Sequence, residues 1–224
     1  MVFFLFFYFS NLFGAPTREL ICQYQIHSTH RSDIYVHLPQ LRELARESAS
    51  VVEIGVRNIV STWGILMGLA EQEPSSPPSY LGIDLFEPPN DRFLLAKSLS
   101  ESNGIRFQFW KGNDFELDLE EPVDMLFIDS LHTYAHLTYE LEKFSPKVKK
   151  YIAMHDTGEP FGFRDLELKE NPEKRILNYP AWISKDKRGL WAAVVDFIER
   201  HPEWKIKYHT PDCYGFTVLE LSSQ

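Results

Sequence analysis

The sequence predicts an α/β fold in which a doubly wound, mostly parallel sheet of seven strands ends in an antiparallel pair. Two observations predict this fold. Apolar runs of strand length alternate with segments of helical periodicity along most of the chain. The stretch Ser50–Gly68, SVVEIGVRNIVSTWGILMG, indicates a buried strand, a tight turn at Gly55 and a helix from about Val60. The length of 224 residues fits one domain with a sizeable core.

The composition limits the classes of partner and fold. A formal net charge of −9 argues against a nucleic acid bound by a broad basic face. The two cysteines, Cys22 and Cys213, are too few for a disulfide scaffold and too far apart for a metal-binding pair. We therefore expect two reduced thiols, although one bridge between them stays an alternative.

Residues 1–16 are predicted to be a signal-like or membrane-associating segment, followed by a single domain at residues 17–224. The apolar run Val2–Phe13 has the length of a signal-peptide core and is too short to span a bilayer comfortably. It lacks the positive charge that normally precedes such a core. The sequence leaves localisation open: cytoplasmic if the segment is not a functional signal, otherwise exported or membrane-associated through this segment alone.

The remaining elements follow in order. Thr17–Arg31 shows no clear periodicity. A helix is predicted from Asp33 or from Pro39, because apolar residues then form one helical stripe. Strands are predicted at Val51–Ile54, Tyr80–Leu85, Ile105–Trp110, Val123–Ile128, Lys150–Met154, Trp204–His209 and Tyr214–Leu221, and further helices at Val60–Leu69, Asp91–Ser102, Tyr134–Phe144 and Gly189–His201. Residues 158–187 are predicted to form a long, lid-like insert.

Acidic residues end five of the predicted strands or follow them closely: Glu53, Asp84, Asp114, Asp129 and Asp156. Ligands of such sheets bind at the carboxyl ends of the strands, so the pattern predicts a polar ligand site. Each acid alone could be a solvated loop residue or a helix cap. Glu53 leaves two interpretations: it faces a polar ligand, or it is a buried acid paired with an arginine such as Arg57.

The predicted turn after the first strand narrows the choice of ligand. Asp84 could accept hydrogen bonds from both hydroxyls of a ribose. The turn GVRNIV lacks the three glycines that let a pyrophosphate approach the backbone. A ligand with a ribose and no diphosphate therefore fits better.

From Ile34 to Leu221 the sequence resembles class I S-adenosylmethionine-dependent methyltransferases, nearest to the small-molecule O-methyltransferases of the macrocin and catechol types. The motifs that carry the resemblance are VVEIGVRNIVST, YLGIDL, KGND, DMLFIDSLHTY and YIAMHDT. The resemblance implies a Rossmann-like sheet and S-adenosylmethionine as cofactor. Its implied cofactor-binding residues are Glu53, Gly55, Arg57, Ser61, Thr62, Asp84, Asp114 and Asp129. The sequence departs from the family at Ile59, where a glycine is usual.

The resemblance also implies how methyl transfer would proceed. Asp129 and Asp156 would hold Mg²⁺, and His132, three residues after Asp129, would be the general base. Asp129 and His132 are thus the candidate catalytic residues. Thr157 stands where the catechol type has an amide ligand, so metal dependence is left open. His132 could instead pack against or cap the following helix.

Other residues near these positions have two interpretations each. His155 ends a buried strand and is more typical of a core histidine than of a ligand. Tyr134 and His136 could line the acceptor pocket, or could pack within the helix they begin.

The predicted function is methylation of a hydroxyl on a small molecule or sugar. One alternative is a cephalosporin-hydroxylase-like enzyme on the same scaffold, and another is a non-catalytic nucleoside-binding module. The expected partners are a small-molecule acceptor and, as is common in such families, a second copy of the chain. No nucleic-acid partner is expected.

Overall fold

A computed structural model describes residues 15–72, 76–166 and 179–222. Of the predicted signal-like segment, residues 1–14 lie outside the described residues, and so do residues 167–178 of the predicted insert.

The described residues contain one seven-stranded sheet with the order β3-β2-β1-β4-β5-β7-β6, which confirms the predicted fold class. Strands β1 to β5 are parallel, and β7 runs antiparallel to both β5 and β6. The strands are β1 Ser50–Ile54, β2 Ser79–Asp84, β3 Arg106–Lys111, β4 Val123–Ile128, β5 Val148–His155, β6 Trp204–Thr210 and β7 Phe216–Leu221.

Six α-helices accompany these strands in the described residues. They are α1 Arg18–Thr29, α2 Leu38–Arg46, α3 Val60–Ala70, α4 Asn90–Ser102, α5 Tyr134–Phe144 and α6 Leu190–Arg200, with short 3₁₀ turns at Tyr35–His37 and Ser145–Lys147. Pro39 lies in the first turn of α2, where its missing N–H costs nothing. Helix α1 is the element that the sequence pattern did not predict. The Thr17 hydroxyl caps it, and only Leu20 among its residues is fully buried.

The helices cover both faces of the sheet and so form two apolar cores. Helices α1 to α4 pack on one face, and α5 and α6 pack on the other. Alternate residues of β1 show the division, because Val51 belongs to the first core and Val52 to the second. Among the described residues, no helix is both long enough and apolar enough to cross a membrane.

Candidate active site

The sheet order brings the candidate residues to one edge. Strands β2, β1, β4 and β5 are parallel neighbours, with Ile54 opposite Ile128 and Ile128 opposite Met154. The residues that follow these strand ends, Asp129 and Asp156 among them, therefore share the carboxyl edge of the sheet. A backbone hydrogen bond of 2.8 Å from the Asp129 N–H to the Ile54 carbonyl continues the β1–β4 ladder into this edge.

Two aspartates and two histidines form a tight cluster there. His132 Nε2 lies 2.9 Å from Asp156 Oδ2 and 3.3 Å from Asp129 Oδ1. His155 Nδ1 lies 3.3 Å from Asp156 Oδ2 and 3.6 Å from Asp129 Oδ2. Asp156 and His155 are almost fully buried, whereas Asp129 and His132 keep about a fifth of their side chains exposed. The cluster is thus open to solvent on one side only.

The charges of this cluster stabilise one another. Burial disfavours the charged form of His132, but its hydrogen bonds to Asp129 and Asp156 outweigh burial and raise its pKa to about 9. Burial also opposes ionisation of Asp129, yet the two histidines hold the pKa of that carboxyl well below its usual range. His132 is therefore an imidazolium at neutral pH in the protein without a bound cation.

The turn between β6 and β7 supports the cluster through backbone carbonyl oxygens that contact two histidines. The Cys213 carbonyl oxygen lies 3.1 Å from His155 Nε2, and the Asp212 carbonyl oxygen lies 3.0 Å from His37 Nε2. Cys213 and Tyr214 have positive φ values of 47° and 70°, which turn these carbonyls toward the histidines. Burial, and then the neighbouring His155, lower the pKa of His37 to about 4, so His37 is neutral.

Asp84 lies at the end of β2, and β1 separates β2 from β4. Its Oδ2 accepts a hydrogen bond of 2.8 Å from the Arg57 N–H, and its Oδ1 accepts one of 3.0 Å from the Phe86 N–H. The Arg57 guanidinium extends away to Asp33, 3.2 Å distant. Each Asp84 oxygen keeps a further lone pair available for a ligand hydroxyl.

The β1–α3 turn has an unusual backbone. Ile59 begins α3 in the left-handed conformation, with φ 62° and ψ 32°, and its side chain is completely buried. This is the position where the family resemblance leads one to expect glycine. Gly55 has φ +92°, and a Cβ there would overlap the carbonyl oxygen of Asp129. Glycine is thus required at residue 55 by the close approach of β4.

Glu53 is fully buried beneath the first turn of α3. Its carboxylate accepts hydrogen bonds from the hydroxyls of Ser61, of Thr62 at 2.8 Å and of Tyr80 at 2.5 Å. Burial raises its pKa to about 7, although the three hydroxyls oppose this shift. Arg57, the partner that the second interpretation suggested, pairs with Asp33 instead.

Asp114 lies in a second cluster, together with His136 and Glu140 of α5. His136 Nε2 lies 3.1 Å from Asp114 Oδ2 and 3.6 Å from Glu140 Oε1. All three side chains are buried. Burial and the charge of Asp114 raise the pKa of Glu140 well above its usual range. Sequence reasoning missed Glu140, and the signal that could have found it is its spacing of four residues from His136 on a helix.

The described start of the predicted insert is fastened to the site. Asp165 Oδ1 accepts hydrogen bonds of 2.8 Å from the N–H groups of Tyr134 and Gly189, at the starts of α5 and α6. The Leu166 N–H donates to the His132 carbonyl at 2.8 Å, and the ring of Phe161 lies 4.8 Å from the His132 ring. These contacts fix the backbone and one face of His132.

The model of a family described as "Methyltransferase domain" matches residues 52–157. Residues 52–157 are therefore similar to a methyltransferase domain. The match confirms the predicted resemblance to class I S-adenosylmethionine-dependent methyltransferases, and it contains all five strand-end acids. A comparison with curated protein sequences finds no match.

Solved methyltransferase structures share the fold over almost the whole chain. An O-methyltransferase from Bacillus cereus in complex with SAH is 16% identical, with a TM-score of 0.56, and the alignment covers 95% of this chain and 94% of that one. An SAH-bound methyltransferase from Podospora anserina is 13% identical, with a TM-score of 0.54 and coverages of 92% and 89%. A methyltransferase from Geobacter sulfurreducens is 13% identical, with a TM-score of 0.53 and coverages of 95% and 92%. At these identities the likeness shows the fold alone.

Proposed function

We propose that this chain transfers the methyl group of S-adenosylmethionine to a hydroxyl of a small molecule, with assistance from Mg²⁺. The single observation that carries the proposal is the cluster of Asp129, His132 and Asp156 at the carboxyl edge of a methyltransferase domain. The Bacillus cereus and Podospora anserina structures with this fold contain SAH, the demethylated product of the cofactor.

The carboxyl edge has suitable groups for the cofactor. Asp84 accepts two backbone N–H groups, which hold its carboxylate in one orientation, and it retains acceptor capacity for the ribose hydroxyls. Helix α3 begins without a side-chain cap, so its first N–H groups are available to a carboxylate such as that of the methionine part. Glu53 would act indirectly, since its hydrogen bonds to Ser61 and Thr62 fix that first turn.

The donor set near His132 fits a divalent cation. Single ligand atoms of Asp129, His132 and Asp156 all lie within 4.8 Å of one another. Mg²⁺ prefers carboxylate oxygens and keeps several of its waters, and Asp129 faces the open side of the cluster. We assign Asp129 and Asp156 as the ligands. When bound, the ion would lower the pKa of the acceptor hydroxyl.

His132 is the proposed base, and its protonation depends on the same two carboxylates. With Asp129 and Asp156 free, the imidazole keeps its proton because both acids stabilise the positive charge. If Asp129 and Asp156 bind Mg²⁺ instead, they no longer stabilise the positive charge of His132. Its Nε2 then becomes available to accept a proton. The ring is already oriented, because Phe161 packs beside it and the Leu166 N–H binds its carbonyl.

A second candidate function is oxidation by a cephalosporin-hydroxylase-like enzyme. One imidazole and two carboxylates resemble the mixed nitrogen and oxygen ligands of non-haem iron sites. In that case His132 would be a metal ligand, and no methyl donor would be consumed. A non-catalytic nucleoside-binding module would bind the cofactor without turnover. We also propose a small-molecule acceptor and a homodimer. Sedimentation of the purified chain would test whether it dimerises.

Calorimetry with S-adenosylmethionine and SAH, with and without Mg²⁺, tests the first step. We expect Asp84→Asn to weaken binding at least tenfold, whereas Asp91→Asn, on the exposed surface of α4, should bind normally. Transfer of a labelled methyl group to a panel of sugars and phenols tests the second step. His132→Gln should bind the cofactor normally and lose turnover by roughly 10²–10⁴-fold. Absence of cofactor binding by the wild type would refute the proposal.

A further inference from the structure

The second cluster, Asp114, His136 and Glu140, is separate from the proposed methyl-transfer site. Asp114 follows β3, whereas His136 and Glu140 lie one turn apart on α5. The Glu140 side chain has no exposed surface, and those of Asp114 and His136 are more than nine-tenths buried. Two acids and one imidazole are thus enclosed in a region that offers no solvent to stabilise their charges.

Two carboxylate oxygens in this enclosure lack a hydrogen-bond partner. Among the described residues, Asp114 Oδ2 and Glu140 Oε2 are buried and have no donor with hydrogen-bond geometry. The nearby Lys143 amine does not compensate them, because it donates to the backbone carbonyls of Asp114 and Phe115. An unpartnered oxygen on a fully buried Glu140 indicates a partner other than a described side chain, which is either a bound cation or a retained proton.

Surrounding residues orient two of the three side chains, those of His136 and Glu140, in the manner of ligands. The Tyr179 hydroxyl lies 3.1 Å from His136 Nδ1, which leaves Nε2 directed at the two acids. The Ser130 hydroxyl donates to Glu140 Oε1 at 2.7 Å and leaves Oε2 free. Such outer partners of histidine and carboxylate ligands are typical of metal sites.

We propose that Asp114, His136 and Glu140 bind a structural Zn²⁺ ion. A tetrahedral zinc site with bonds of about 2.0–2.1 Å has ligand atoms roughly 3.4 Å apart. The separations from His136 Nε2 match that geometry: 3.1 Å to Asp114 Oδ2 and 3.6 Å to Glu140 Oε1, the oxygen that also accepts from Ser130. The imidazole ligand and the buried position favour zinc over Mg²⁺, which prefers oxygen and retains its waters.

A small cavity lies beside Glu140. Its volume of about 10 Å³ is close to that of one water, and Ser130 and Glu140 line it, whereas Asp114 and His136 do not. Asp129 and His132 line the same cavity, so the two clusters are neighbours. A zinc ion bound by Asp114, His136 and Glu140 would connect the loop after β3 to α5. Through the hydrogen bond from Ser130 to Glu140, it would also support the neighbouring Asp129.

The competing arrangement is a proton shared between Asp114 and Glu140, which needs no ion. Metal analysis of the full-length protein, purified without chelator and dialysed against metal-free buffer, distinguishes the two. We expect one zinc per chain in the wild type and in Asp129→Asn, and loss of zinc in Glu140→Gln and His136→Gln. Glu116→Gln, on the exposed surface, is the matched control and should retain zinc.

If Glu140→Gln or His136→Gln fails to fold, two further measurements still test the proposal. Tyr179→Phe changes only the outer partner of His136 and should weaken Zn²⁺ binding about tenfold or more. Cobalt added to the apoprotein should give the strong visible absorption of a tetrahedral site, and Glu140→Gln should abolish it. A wild-type protein that binds neither ion would overturn the proposal. So would zinc that Asp129→Asn removes and Glu140→Gln retains.

Discussion

The Glu53→Gln variant should be slightly less stable than the wild type at acid pH and more stable than the wild type at alkaline pH. The pKa of the buried carboxyl is about 7, against an ordinary value of 4.5. Between these values the folded protein keeps a proton that the unfolded chain releases, so the stability that this group contributes is complete below pH 4.5 and is lost by about pH 7. At 1.36 kcal/mol per pH unit the loss amounts to about 3 kcal/mol.

Glu53→Gln cannot ionise and therefore lacks this dependence on pH. Its amide can accept hydrogen bonds from Tyr80 and Thr62, and the Ser61 hydroxyl can rotate to accept one, at a cost of about 1 kcal/mol. The variant should thus be slightly less stable than the wild type at pH 5 and about 2 kcal/mol more stable at pH 8.

Urea unfolding followed by circular dichroism at pH 5, 6.5 and 8 measures this crossover. Glu116→Gln, which removes an exposed carboxyl, controls for the change in net charge. A difference between Glu53→Gln and the wild type that stays constant to within about 0.5 kcal/mol across the range would refute the reasoning.

Three other changes test the geometry of the same edge. Ile59→Gly and Ile59→Ala both remove a buried side chain, but the glycine variant should be the more stable by about 1–2 kcal/mol, because residue 59 is left-handed; urea midpoints that favour alanine would contradict this. Gly55→Ala should lower the melting temperature sharply or prevent folding, since the new Cβ overlaps the Asp129 carbonyl; a melting temperature within a few degrees of the wild type would disprove that close approach. An NMR titration of His132 in metal-free protein should give a pKa of about 9, and Asp156→Asn should lower it; a wild-type pKa near 6.5 would show that the two aspartates do not hold its proton.

Most of the fold could be predicted because the strands, and the helices other than α1, carry their own hydrophobic patterns. Strand β4 and helix α5 have the predicted bounds to the residue. Helix α1 escaped prediction because only Leu20 is fully buried and the rest of the helix has little apolar periodicity. Its N-cap, Thr17, was the local signal available.

The candidate site could be predicted only as far as position along the strands determines it. Strand alternation and sheet order place Asp84, Asp129 and Asp156 at one edge. They do not determine which way a side chain turns within a loop or which hydroxyls surround it. Glu53 therefore lies beneath α3, and Asp114 lies against α5. Glu53 contacts hydroxyls of the helix that follows its own strand, and Asp114 contacts a helix beyond the next strand. A hydrophobic pattern contains neither contact.

The hairpin of β6 and β7 affects when the site can form during synthesis of the chain. Its turn supplies the carbonyl oxygens that hold His37 and His155, and β7 covers the open side of β5. While residues 204–221 of a nascent chain are still inside the ribosome, one edge of β5 has no neighbouring strand. The His155 imidazole then also lacks its contact with the Cys213 carbonyl. The acid–histidine cluster therefore gains the support of this hairpin only after residues 204–221 have left the ribosome.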